Sequence, residues 1–200
     1  MLPLCWLAWA DEIADLISDH GGAKPDRPPA VKALAWNVLR TVIQWRVMRN
    51  KGELTFKDGR WIITLRVGLP LEEQAFVIGH ELAHWWFKNF CDTVLARDVE
   101  EAMCDAVGAR LAAPRIPFAA AVNWYGHRVH LLAERFFTLQ RVALLRISEL
   151  TGRPSIIERP GRRIARGRPY DWPEDLWSIP RHKAHPLRVD DGWGMIVNEE

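Results

Sequence analysis

Two histidines four residues apart, His80 and His84, with Glu81 directly after the first, are the residues whose types and spacing carry chemistry in this chain. On a helix, positions i and i+4 lie one above the other, so both imidazoles can reach a single metal ion. Glu81 stays at the edge of that site, where a carboxylate can take a proton from water. H-E-x-x-H is the pattern of zinc hydrolases, in which zinc lowers the pKa of water toward about 7 and makes hydroxide available at neutral pH. The competing reading is a chance match in a helix with two ordinary histidines, and the surrounding sequence argues against it.

That surrounding sequence is a helix over 71–88, LEEQAFVIGHELAHWWFK, with no internal proline and a single glycine, Gly79. Pro70 stands just before it, where a missing N–H costs nothing. Glu72 and Glu73 favour the positive end of the helix dipole, and Lys88 the negative end. A catalytic zinc takes three protein ligands and keeps one position open. The next predicted helix, 95–113, LARDVEEAMCDAVGARLAA, offers the third. Glu101 and Asp105 share one face, and Gly108 and Ala112 continue it with minimal side chains, allowing close approach. We read Glu101 as the third ligand. Asp105 then accepts a hydrogen bond from the outer nitrogen of a liganding histidine. Glu100 is rotated by about 100° and is expected to face solvent or the flank. The competing reading of the acidic pair is a solvated helix face.

H-E-x-x-H followed by E-x-x-x-D on a second helix is the gluzincin arrangement, and within it the sequence resembles the ImmA/IrrE metallopeptidase family. The matching pieces are IGHELAHWWF, EEAMCDAVGARLAAP and a helical segment ending RISELTG, within about residues 30–150. Glu101, Asp105, Leu111 and Pro114 fall at the family's offsets. Met103, Cys104 and Val107 depart from it, where Glu, Ala and Phe are common. The resemblance implies an α+β zincin-like metallopeptidase domain with a small antiparallel sheet and a helical C-terminal part. It implies one zinc ion and a protein substrate, often a helix-turn-helix repressor of a mobile element or stress response.

The rest of the chain fits around that centre. A helix is expected over 4–19, a linker over 20–29, and a second helix from Pro29 to about Asn37 or Arg40. Thr41–Val47 is β-like. Leu54–Phe56 and Trp61–Val67 flank Lys57-Asp58-Gly59-Arg60, a strong hairpin signal. The edge of such a sheet can line a substrate cleft and accept an extended peptide. Pro114-Arg115-Ile116-Pro117 breaks the chain, and helices follow to Leu150. The segment 131–150 has the cadence of a helix-turn-helix, but its second helix offers only Arg141 and Arg146 as a basic face for DNA, so it reads as packing. His127 and His130, three apart, read as ordinary histidines. Thr151–Arg168 is a basic run expected to be a solvated tail, and 170–200, rich in Trp and Pro, an irregular extension. The domain reading is an N-terminal helix and linker (1–29), a catalytic domain (30–118), a helical subdomain (119–150) and an extension (151–200).

Composition bounds the remaining classes. Lys plus Arg number 27 against 25 acidic residues, a balance unlike that of a dedicated nucleic-acid binder. Eleven tryptophans are scattered along the chain and read as core and interface residues. Three unpatterned cysteines, Cys5, Cys91 and Cys104, fit a reducing compartment, and no segment reaches the ~18 apolar residues of a membrane span. A cytoplasmic zinc endopeptidase is the expected function, with Glu81 as general base and Tyr125, His127 and His130 as oxyanion donors by type alone. A non-proteolytic, antitoxin-like binding module acting on a regulator is the alternative.

Overall fold

The computed structural model describes residues 4–22, 31–40, 43–151, 155–159, 162–166, 184–189 and 192–197. Among these described residues, seven helices and two small sheets follow in the order α1 (Leu4–His20), α2 (Val31–Leu39), β1 (Gln44–Arg46), β2 (Gly52–Lys57), β3 (Arg60–Arg66), α3 (Leu71–Phe90), α4 (Arg97–Ala112), α5 (Arg115–Tyr125), α6 (Val129–Phe136), α7 (Gln140–Thr151), β4 (Ser155–Arg159), β5 (Arg162–Arg166), β6 (Ala184–Val189) and β7 (Gly192–Val197). The fold is α+β, as the sequence implied.

The β2–β3 hairpin turns on Asp58 and Gly59, both with positive φ (51° and 76°), the two-residue primed turn that Asp-Gly favours. Lys57 then pairs with Arg60 and Phe56 with Trp61, whose rings lie 4.9 Å apart. The sheet is not the purely antiparallel one expected. Its order is β1-β3-β2, and β1 runs parallel to β3, with Gln44 beside Thr64. A short β1 followed by a connection back to β2 makes β3 the central strand. Ile63, Thr64 and Leu65 are therefore all buried.

Helices α3 and α4 form the centre of the molecule. The α3 backbone starts on Pro70, whose carbonyl accepts from the Glu73 and Gln74 amides. The short connection 91–96 folds α4 back along it. Val77, Ile78, Leu82, Met103, Val107 and Leu111 bury their side chains in one cluster with Ile13 and Ile17 of α1 and Leu34 of α2. Each such aliphatic chain contributes about 1.5–3 kcal/mol through burial. Trp9 packs edge-on against Trp86 and Phe87, at 6.4 and 5.7 Å.

The two helices touch backbone to backbone at Gly79 and Gly108. A Cβ built on Gly108 would lie 2.9 Å from the His80 nitrogen and 3.0 Å from the Phe76 carbonyl oxygen. Backbone atoms cannot yield as a flexible side chain would, so the helix-propensity gain of Gly→Ala is outweighed. Gly108→Val is expected to destabilise the fold by about 1–3 kcal/mol, as overpacking does, and to weaken metal uptake by moving α4 from His80. Denaturant unfolding and metal titration measure the two effects. Unchanged stability would show that the close approach is not required.

A second cluster gathers Ala113 at the end of α4 with Phe118, Val129, Leu132, Phe136, Leu144 and Ile147 from α5, α6 and α7. Pro114-Arg115-Ile116-Pro117 does not open a loop. Pro114 is the N-cap of α5, and Pro117 sits in its first turn, where prolines are tolerated. The segment 131–150 packs into this cluster through Leu132, Phe136, Leu144 and Ile147, and Arg141 and Arg146 are engaged. Arg141 pairs with Glu73 at 3.4 Å, and Glu73 is also held by Lys51. Arg146 is 1% exposed and shares Asp11 and Glu149 with the equally buried Arg110. That network joins α1, α4 and α7.

The basic run and the Trp/Pro-rich end are not wholly tail and irregular extension. The second sheet, of order β5-β4-β7-β6, is antiparallel throughout and draws its four strands from them. Two hairpins far apart in sequence meet there, Ile156 beside Met195, a pairing that local composition does not announce. The expected linker falls mostly outside the described residues, as do Trp172 and Trp177.

Candidate metal centre

The spacing on α3 and the register of α4 bring three donors to one point. His80 Nε2 and His84 Nε2 are 3.1 Å apart. Glu101 offers one carboxylate oxygen 3.4 Å from His80 Nε2 and another 3.8 Å from His84 Nε2. Zinc ligands at ~2.0–2.1 Å in a tetrahedron are separated by about 3.3 Å, so these spacings are those of a tetrahedral donor set.

The outer ring nitrogens fix the protonation. His80 Nδ1 lies 3.0 Å from Asp105 Oδ1, and His84 Nδ1 lies 2.8 Å from Glu100 Oε1. A carboxylate accepts, so each Nδ1 carries the hydrogen and each Nε2 turns a lone pair inward. Two lone pairs and the Glu101 carboxylate then converge with no hydrogen between them, an arrangement that calls for a cation. Burial alone depresses the His80 imidazole, but Asp105, then Glu81 and Glu101, outweigh it and raise its pKa. His84 is lowered, because burial outweighs Glu100. The same negative field that draws a proton to His80 draws a metal ion.

Here the expectation for Glu100 is corrected. It does not face solvent or the flank; it orients His84 as Asp105 orients His80. The register contains the reason. The helices run in opposite directions, so the histidine one turn later on α3 meets a residue about one turn earlier on α4. Asp105 serves His80, and the carboxylate for His84 therefore lies near 100–101, with Glu101 already turned inward.

Glu81 is 6% exposed and lies outside the donor trio. Burial, reinforced by Glu101 and Glu53, raises its carboxyl to about 7 against the pull of His80 and Lys88. A carboxyl near neutrality takes and returns protons readily. Gly52, at the start of edge strand β2, lies against it. A Cβ there would come within 2.8 Å of Glu81 Oε1, so a missing side chain brings the strand to the carboxylate. The site opens on the Glu101 side, where that side chain is 48% exposed.

The other candidates lie elsewhere. Tyr125 packs with the second cluster, and His130 is exposed. Neither His127 nor His130 joins a group of metal-binding side chains among the described residues. No helix among them is long and apolar enough to cross a membrane.

A family model described as the IrrE N-terminal-like domain, Peptidase_M78, matches residues 45–148, the stretch containing both metal-centre helices. No curated protein matches the chain. Among solved structures, a Mycobacterium tuberculosis transcriptional regulator has a similar fold, with a TM-score of 0.67 at 14% identity, over 94% of this chain and 87% of that one.

Proposed function

The chain belongs to the M78 peptidase family, that of the IrrE N-terminal-like domain, and from this premise we propose that it is a zinc-dependent endopeptidase acting on a regulatory protein. The observation that carries the reading is the convergence of His80 Nε2, His84 Nε2 and Glu101 on one point, with Glu81 beside them and not among them. His80, His84 and Glu101 would hold zinc, which would supply Lewis acidity to water and to a peptide carbonyl. Glu81 takes the proton of the attacking water and delivers it to the departing amine nitrogen. Asp105 and Glu100 hold the two imidazoles in the tautomer that turns Nε2 inward. Gly52 keeps the β2 edge open next to Glu81, so that an extended peptide can lie along the strand.

The protein substrate, a helix-turn-helix repressor, follows from the family resemblance, and a cytoplasmic location goes with it. The near-neutral charge and the engagement of Arg141 and Arg146 support an action on the regulator itself and not on nucleic acid. A non-proteolytic binding module needs the fold, with or without a metal, but has no use for a buried carboxylate tuned to about 7. The test is a cleavage assay with a repressor encoded beside the gene. Purified protein is expected to hold one zinc and to cut the repressor. A chelator should stop cleavage and added zinc restore it. Protein that takes up no zinc on titration, or cleaves equally well after chelation, would end this reading.

A further inference from the structure

The donor set described above uses one nitrogen of His84, and the other faces a second group. Glu100 Oε1 lies 2.8 Å from His84 Nδ1, and Cys104 Sγ completes a trio whose ligand atoms all fall within 4.8 Å of one another. Glu100 and Cys104 are one turn apart on α4, in the register next to Glu101 and Asp105. Cys104 is fully buried, while the side chains of His84 and Glu100 keep 15% and 29% exposure, which leaves an approach from solvent. The Gly79–Gly108 contact fixes the two helices that carry the donors.

We propose that His84 Nδ1, Glu100 and Cys104 Sγ form a second metal site, for a thiophilic divalent ion such as zinc, cobalt or cadmium. The site rests on the reading of His80, His84 and Glu101 as the first, with the His84 ring shared between them. On binding, the Cys104 thiol proton and the His84 Nδ1 proton leave to solvent. Sulfur, nitrogen and a Glu100 oxygen each give the ion a lone pair. A sulfur donor is soft, so hard ions such as magnesium or calcium are poorly held by this set. The second ion also replaces the hydrogen bond by which Glu100 orients His84, so metal excess alters the first centre through a shared ring.

Cobalt titration of the full chain tests this, in a background with Cys5→Ser and Cys91→Ser so that Cys104 is the sole thiol. The first equivalent is expected to give the weak visible bands of a nitrogen- and oxygen-ligated ion. A second equivalent should add the intense near-ultraviolet charge-transfer band of a cobalt thiolate. Cys104→Ala should lose the second equivalent and its band while keeping the first, which also reports that the variant folds. Glu100→Gln, which leaves the thiol in place, should weaken the second equivalent at least tenfold. A single equivalent with no thiolate band, or a band that survives Cys104→Ala, would overturn the second site. Loss of the first equivalent in the parent protein would instead overturn the first centre, so the two failures are distinct.

Discussion

Replacing Glu81 by Gln is expected to leave zinc bound and to slow repressor cleavage by about 10²–10⁴-fold, the usual worth of a positioned general base. The two roles separate because of where Glu81 points. The donor trio consists of His80, His84 and Glu101, while Glu81 lies against Gly52 of the β2 edge. Glutamine keeps the size and helix propensity of the side chain and cannot accept the proton. It also removes a buried carboxyl that the site already holds near neutrality, so no uncompensated charge is created. Metal content by elemental analysis and cleavage at saturating repressor measure the two halves. Zinc loss in Glu81→Gln would make Glu81 a ligand. An undiminished rate would mean that another group moves the proton.

What the sequence showed and what it hid divide along a physical line. Features set by contacts within a few residues were legible. His80 and His84 share a face because the helix repeat makes them do so, and Asp58-Gly59 turns because both residues accept positive φ. Gly108 was readable as a point of close approach, although the Gly79 opposite it was visible only as a lone glycine in a helix. Features set by distant segments were not legible. The parallel pairing of β1 with β3 depends on how the chain returns through β2, and nothing in Gln44–Arg46 states it. The pairing of β4 with β7 joins strands about 40 residues apart, in a stretch whose arginines and prolines read locally as tail. Arg146 read only as one of two basic candidates on its helix, and arginine is usually exposed. Its burial depends on Asp11, 135 positions away, together with Glu149. Glu100 is the instructive case. A helix read alone turns it aside from Glu101, but a second helix lying across that flank makes the flank useful.

The register of α4 yields the sharpest remaining test. Glu101→Ala is expected to abolish high-affinity zinc binding, since it removes one of three ligands and leaves two imidazole lone pairs facing each other at 3.1 Å. Asp105→Ala and Glu100→Ala are each expected to cost about 10–100-fold in affinity for the first zinc, because each frees one imidazole to turn and lowers its basicity. Sequence spacing alone predicts a silent Glu100→Ala; the 2.8 Å contact with His84 Nδ1 predicts a loss on the scale of Asp105→Ala. The conservative pair separates orientation from charge. Glu100→Gln can still accept from His84 Nδ1 through its amide oxygen, so it should retain more of the affinity than Glu100→Ala. Competition titration against a chromophoric chelator at one zinc per chain measures all four variants. A silent Glu100→Ala would show that His84 is held by its helix alone. Equal losses from Glu100→Ala and Glu101→Ala would mean that the ion is not centred on Glu101, and the roles of the two carboxylates would have to be exchanged.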